Sequence, residues 1–320
     1  MSVAASAASE AVDRRRTLPI GFDRRLVAPG PARLLVAVHR LLAAAMAFRL
    51  VERPWWQMTY RPDALFKPVW VVSWMTSPPS TQVLLVAQVA GVAGGVAAVL
   101  RRAPRIGFAI AWIALVFVAA CWGSSGKVMH NEVLLITVAF PLLFSAVPGR
   151  GTTPASDVRW GWGPRASTAA LGAVYFATGL QKLRHSGLRW AISDNMSWVV
   201  FQGRSPFGAD LNLFIARQHW LTVALASGAL LFELGAPLLL WFRRTRIIVP
   251  VVAFVMHTSI WVLLGLNYSS WVLTCIAVAV PMSMRWDEGS AEVPLYRRVA
   301  LPWNGRDPGD DPSSVASGVL

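Results

Sequence analysis

The sequence predicts an all-α protein: a polytopic transmembrane helix bundle of about eight spans, with short interfacial helices on its outer side. Three observations carry that reading. First, 55% of the 320 residues are hydrophobic and 14% charged, with a mean hydropathy of +0.49, more apolar surface than one soluble core can hide. Second, the apolar residues come in runs about as long as the roughly 20 residues that cross a bilayer. Third, arginines gather in the tails and in short segments between alternate runs. The net charge of +14 therefore reads as a topology signal and not as a nucleic-acid surface.

Residues 1–31 are rich in Ala, Ser, Pro and Arg and are expected to be a disordered cytoplasmic arm. No apolar core with a cleavage site follows Arg14–Arg16, so the first span is expected to direct insertion. That span is placed at 32–53, with Arg40 inside it and Arg49, Glu52 and Arg53 near its far end. Residues 54–80 carry Trp55, Trp56, Tyr60, Trp70 and Trp74, which suits one or two helices at headgroup level. Span two, 81–100, has Gly91 and Gly95 in a GxxxG arrangement for close packing. Span three is 105–122 and span four 130–147, where Asn131 is expected to cap and Glu132 to meet the helix's positive end. A Gly- and Trp-rich inner loop, 148–165, leads to span five, 166–185. An amphipathic connection, 186–219, precedes spans six (220–242), seven (247–266) and eight (271–284). The membrane domain is thus 32–286, and 287–320 reads as a disordered cytoplasmic tail.

Arginine asymmetry puts both termini in the cytoplasm, with His130 and Lys182 at the same outer level. Only three of the thirty basic residues are lysines, Lys67, Lys127 and Lys182. With abundant alanine, that bias suggests a GC-rich bacterial genome and hence a bacterial inner membrane. Cys121 and Cys275 both fall in spans, too few for a disulfide framework, and no metal is expected.

The polar residues inside the spans are the candidate site. Tyr175, Thr178, Lys182 and His185 stand at i, i+3, i+7 and i+10, a stripe about 80° wide on span five. An amine there faces an interior or snorkels to the outer headgroups. Arginine cannot give up its proton in a protein, whereas lysine can. Glu233 lies mid-span with Ala226, Ala229 and Ala236 on its face, so it points at another helix. Arg40 is at a similar depth, and the two are expected to pair, as a structural ion pair or a proton relay. His257 shares a stripe with Phe254 and Trp261, as a core residue or a relay member.

The run Tyr-Phe-Ala-Thr-Gly-Leu-Gln-Lys-Leu at 175–183, followed by Trp190, resembles the signature of the HTTM domain, the membrane portion of vitamin K-dependent gamma-glutamyl carboxylases and their bacterial relatives. Arg40 with the Glu52-Arg53 end, the 124–132 approach with His130, Glu233 and His257 are similar in order. The resemblance implies that Lys182 is a base that deprotonates a reduced quinone, assisted by His130, with Tyr175 on the same seam. Gln181 stands where a second lysine is often seen, and the large extramembrane substrate domain of the carboxylases has no counterpart after span eight. The expectation is therefore a quinol-dependent redox or proton-abstraction enzyme, taking an apolar or quinone substrate from the bilayer without carboxylating a protein. The alternative is a non-catalytic bundle, an accessory, DoxX-like or immunity-type protein, whose buried polar residues are structural.

Overall fold

A computed structural model describes residues 28–126, 131–148 and 156–286. The expected arm up to residue 27, the tail 287–320 and His130 lie outside the described residues. Among those described there is no strand, only two isolated bridges, Gly30 with Asp157 and Phe66 with Ser125. The helices are α1 Ala32–Glu52, α2 Thr81–Val99, α3 Pro104–Ser124, α4 Val133–Ala139, α5 Val158–Ser186, α6 Arg189–Ile192, α7 Asn195–Phe201, α8 Ala209–Arg217, α9 His219–Trp241, α10 Ile248–Leu264 and α11 Ser269–Ser283. Four of them, α1, α2, α3 and α9, are long and apolar enough to cross a membrane, and 133–144, α10 and α11 are shorter apolar segments. This is the make-up of a membrane protein.

Helix α1 is central. Leu35, Val38, Leu42, Met46 and Leu50 recur at helical spacing, and all are fully buried, packed among α2, α3, α4, α5 and α11. The predicted close packing of α2 is present and extends to a third glycine. A Cβ at Gly95 would lie 2.9 Å from the Cβ of Ala47 on α1, and one at Gly94 would lie 2.7 Å from the carbonyl oxygen of Gly107 on α3. Hydrocarbon outside the bundle gives no hydrophobic drive between helices, so contact of this closeness is what holds them.

Four features differ from expectation. Helix α4 lasts only to Ala139 and passes into a 3-10 segment, Phe140–Phe144. The reason is Pro141, which has no N–H to donate and crowds the preceding turn. Helix α5 begins eight residues before the expected start at 166. The Asp157 side chain accepts from the backbone N–H of Arg159 at 2.8 Å as an N-cap. The Arg159 side chain beside it holds the Asp157 carboxyl below the usual carboxylate range. The turn is pinned from outside by the Gly30–Asp157 bridge and by Arg165, which donates to the carbonyls of Ala28 and Pro29. Residues 54–80 form three 3-10 turns, Trp55–Tyr60, Asp63–Leu65 and Trp70–Val72. Trp55 does not lie at a headgroup surface; it is fully buried, edge-on to Trp122 with centroids 5.9 Å apart.

The fourth difference is at the start of α4. Glu132 occupies the N-cap position without a side-chain capping bond, and the Asn131 amide donates instead to the carbonyl of Asn267 at 2.6 Å. Arg49 claims the Glu132 carboxylate, as described below. On the amphipathic connection, Asn212 of α8 donates to the carbonyls of Val200 at 2.5 Å and Leu263 at 2.7 Å. That clamp ties the connection to the end of α10, which closes on Gly265 in the left-handed region (φ 69°).

Gly94→Ala is expected to cost about 1–3 kcal/mol through overpacking, read as a lower Tm of the purified protein. Gly228→Ala, where a Cβ would meet nothing within 4 Å, is the matched control and leaves Tm unchanged or slightly raised. Equal Tm for the two variants would show that α2 and α3 are not held by this contact.

Candidate functional site

Helices α5 and α9 approach closely because α5 presents glycines to α9. A Cβ at Gly172 would lie 3.3 Å from Cα of Pro237, and one at Gly179 would lie 3.1 Å from the Cβ of Glu233. Three residues beyond Gly179, Lys182 meets Glu233, its Nζ 2.5 Å from Oε1. The ammonium also sits 4.4 Å from the centre of the Trp190 ring, a cation–π contact. The Lys182 side chain is 27% exposed and that of Glu233 9%. Oε2 of Glu233 is buried with no hydrogen-bond partner among the described residues. The lysine therefore faces the bundle and does not snorkel.

The expected Arg40–Glu233 pair is not formed. Arg40 is exposed on α1, and the inward position next to it belongs to His39, stacked on Phe108 with centroids 4.2 Å apart. Neighbouring residues on a helix point about 100° apart, so equal depth did not secure a shared face.

Tyr175, two turns before Lys182, is fully buried. Its hydroxyl lies 3.1 Å from Nε2 of His257 on α10 and 3.4 Å from Sγ of Cys275 on α11. Phe232 and Trp271 pack edge-on against its ring. The other two members of the seam turn elsewhere. Thr178 donates back to the carbonyl of Tyr175, and exposed His185 pairs with Gln181. The stripe thus supplies two inward groups with different partners, Lys182 toward α9 and Tyr175 toward α10 and α11.

A second polar cluster was not foreseen as a set. Arg49, buried near the end of α1, donates to Glu132 at 2.5 Å, to Ser269 Oγ at 3.2 Å, and to Glu52. Arg53 reaches Glu132 at 3.3 Å and lies 4.1 Å from the Trp122 ring centre. Glu52 also accepts from Asn267 and Ser269 in the α10–α11 turn. Two guanidiniums thus meet two carboxylates, and a third, Arg61, lies 4.3 Å from the same Trp122 ring centre. The signal was in the sequence, since Arg49 continues the buried spacing of Leu35, Val38, Leu42 and Met46.

A cavity of about 330 Å³ lies beside His257, between α1, α10 and α11, bordered by Phe48, Phe254, Trp261, Tyr268 and Val272 among others. Among the described residues, no group of three or more His, Cys, Asp or Glu side chains is arranged to hold a metal ion.

What fold and site define is a helical membrane-type protein with two ion-paired polar clusters in its core. Comparison with models of protein families, with curated proteins and with solved structures gives no match.

Glu233→Gln leaves the Lys182 ammonium without its counter-charge. The expected loss is about 3 kcal/mol, at the low end for breaking a buried pair because the Lys182 side chain is partly exposed. Lys182→Met with Glu233→Leu removes both charges, and should recover much of that loss. Additive destabilisation in a thermal-melt double-mutant cycle would show that the two side chains do not interact.

Proposed function

We propose that the chain is a membrane enzyme of the HTTM type, and that Lys182 takes a proton from a lipid-soluble quinol. In this reading α1, α2, α3, α4, α5, α9, α10 and α11 are eight spans of a bacterial inner-membrane protein with both termini cytoplasmic. Supporting the topology is the arginine asymmetry, with Arg101, Arg102 and Arg105, then Arg159 and Arg165, then Arg243, Arg244 and Arg246 in segments that alternate with arginine-poorer ones.

The observation that carries the chemistry is the Lys182–Glu233 pair in a glycine-lined helix contact. Separated charges are costly in a low dielectric, and a proton passed from ammonium to carboxylate leaves a neutral amine beside a carboxylic acid. The unpartnered oxygen of Glu233 is where that proton can reside. The neutral amine then takes the hydroxyl proton of a quinol, giving ammonium and a quinolate, which is electron-rich enough to react with dioxygen. Geometry precedes basicity in such a step, and the quinol hydroxyl must come within hydrogen-bond reach of Nζ. His130, level with Lys182 in the expected topology, is the proposed assistant, and Tyr175 the buried hydroxyl on the same helix.

One observation favours a non-catalytic reading: Glu233 and Trp190 already engage the ammonium. In that case the pair fixes the α5–α9 register, as in an accessory, DoxX-like or immunity-type bundle. Lys182→Arg separates the two readings, because guanidinium keeps the ion pair but cannot serve as a base near neutral pH. With a reduced naphthoquinone, oxygen uptake by the purified protein is expected to fall at least about 100-fold in this variant, with Tm preserved. Undiminished uptake in Lys182→Arg, or no quinol-dependent uptake by the unaltered protein, overturns the enzymatic reading.

For the topology, reporters fused after Arg102, Arg165 and Arg244 are expected to read cytoplasmic, and one within 186–219 external. Cytoplasmic and external signals mixed among the first three would refute eight spans.

A further inference from the structure

We infer that the exposed face of α1 around Arg40 is a binding site for one anionic phospholipid, its phosphate held by the Arg40 and Arg33 guanidiniums and an acyl chain laid along Ala44 and Phe48. The site needs only that α1 cross the bilayer. Nothing in it depends on Lys182 or on a reaction.

Arg40 is a charge the bundle does not neutralise. Its neighbour His39 is buried, Arg40 itself is exposed, and it has no hydrogen bond or ion pair among the described residues. With 21 residues, α1 is about as long as the hydrocarbon core of a bilayer is thick. Arg40 stands eight residues past its start at Ala32, a rise of about 12 Å and more than an arginine side chain spans. A helical Cβ leans toward the N-terminus, so snorkelling toward the Ala32 end shortens the distance without closing it. A bare guanidinium at that depth is costly, and drawing a phosphate down to it relieves the cost.

The surroundings choose the occupant. Arg33, Arg40, Ala44, Phe48 and Val51 are all exposed and stand at i, i+7, i+11, i+15 and i+18, one stripe about 80° wide. The stripe is basic toward the Ala32 end, where headgroups lie, and apolar beyond it, where acyl chains run. That is the polarity of a lipid molecule. A second copy of this chain is a poorer fit. Among the described residues Glu233 is the carboxylate midway along a candidate spanning helix, and it belongs to Lys182, so a copy offers Arg40 no counter-charge at its depth. Guanidinium matches phosphate with two parallel hydrogen bonds. Two guanidiniums without a carboxylate favour a headgroup of net negative charge over a zwitterionic one, whose ammonium they repel.

The test uses the full chain in detergent, titrated separately with phosphatidylglycerol and with phosphatidylcholine and read by native mass spectrometry. One phosphatidylglycerol per chain is expected to bind at least about tenfold more tightly than phosphatidylcholine, the effect of one charge-assisted hydrogen bond. Arg40→Leu should bring the two lipids level. Arg244→Leu, which removes a positive charge from the α9–α10 turn instead, should leave the preference intact. Inorganic phosphate in excess, having no chain to lie along Phe48, should not displace the lipid. Should Arg40→Leu fail to fold, Arg40→Gln decides in its place. The site is overturned by equal binding of the two lipids to the unaltered protein, by an undiminished preference in the folded Arg40 variant, or by an equal loss in Arg244→Leu. Displacement by inorganic phosphate, or a dimer that excludes the lipid, overturns it as well.

Discussion

Charge buried between helices must find its opposite, and the Lys182–Glu233 pair is where this constraint governs the bundle. A carboxylate mid-helix in an apolar setting is tolerated only when a cation reaches it with good geometry. The reach is set by backbone, not by side-chain length alone. A Cβ at Gly179 would lie about 3 Å from the side chains of Glu233 and Leu234, closer than ordinary van der Waals contact, so a neighbour would have to yield by a few tenths of an ångström. The glycine that permits close packing thus also lets the Lys182 and Glu233 side chains meet across it.

The same constraint is met differently at the end of α1. Here Arg49 and Arg53 share Glu132, while Glu52 bonds both Arg49 and the α10–α11 turn. A planar guanidinium with five donors can bind two carboxylates at once, which an ammonium does less rigidly. The cluster therefore joins α1, α4 and α11 through one side chain. The use of arginine for this junction and of lysine at Glu233 follows the chemistry of the two groups. A junction between two carboxylates suits a fixed fork, whereas Glu233 is met by the single point charge of an ammonium.

Long apolar runs were readable because crossing a membrane demands little beyond length and hydrophobicity. The ends of α1, α2, α3 and α9 fall within two residues of where the sequence places them. Helix α4 was less so, although Pro141 was in view, since a proline in an apolar run is compatible with a kinked continuation as well as a stop. The start of α5 depends on Arg165 and Asp157 meeting residues 28–30, a contact between segments far apart in the chain. Partner identity was the least legible. Depth along a helix can be counted, but azimuth across a bundle depends on which faces the neighbours choose, and for α1 the chosen face holds His39 and Arg49, not Arg40. Lys182 pointing inward was readable from its seam; that Glu233 receives it was not.

Helix α5 divides its polar side between α9 and the α10–α11 pair. Lys182 is tied to α9, whereas Tyr175 is tied through His257 and Cys275 to α10 and α11, the helices that wall the cavity. The far end of that cavity is the α10–α11 turn, held by Asn131, Glu52 and Arg49. One buried hydroxyl therefore stands between a lysine two turns away on its own helix and a histidine bordering a cavity. Phe232, the residue before Glu233, packs edge-on against the Tyr175 ring, so Tyr175 and the ion pair share the α5–α9 contact as well. A displacement of α10 that altered the Tyr175–His257 contact would act on a side chain packed against the turn that carries Glu233.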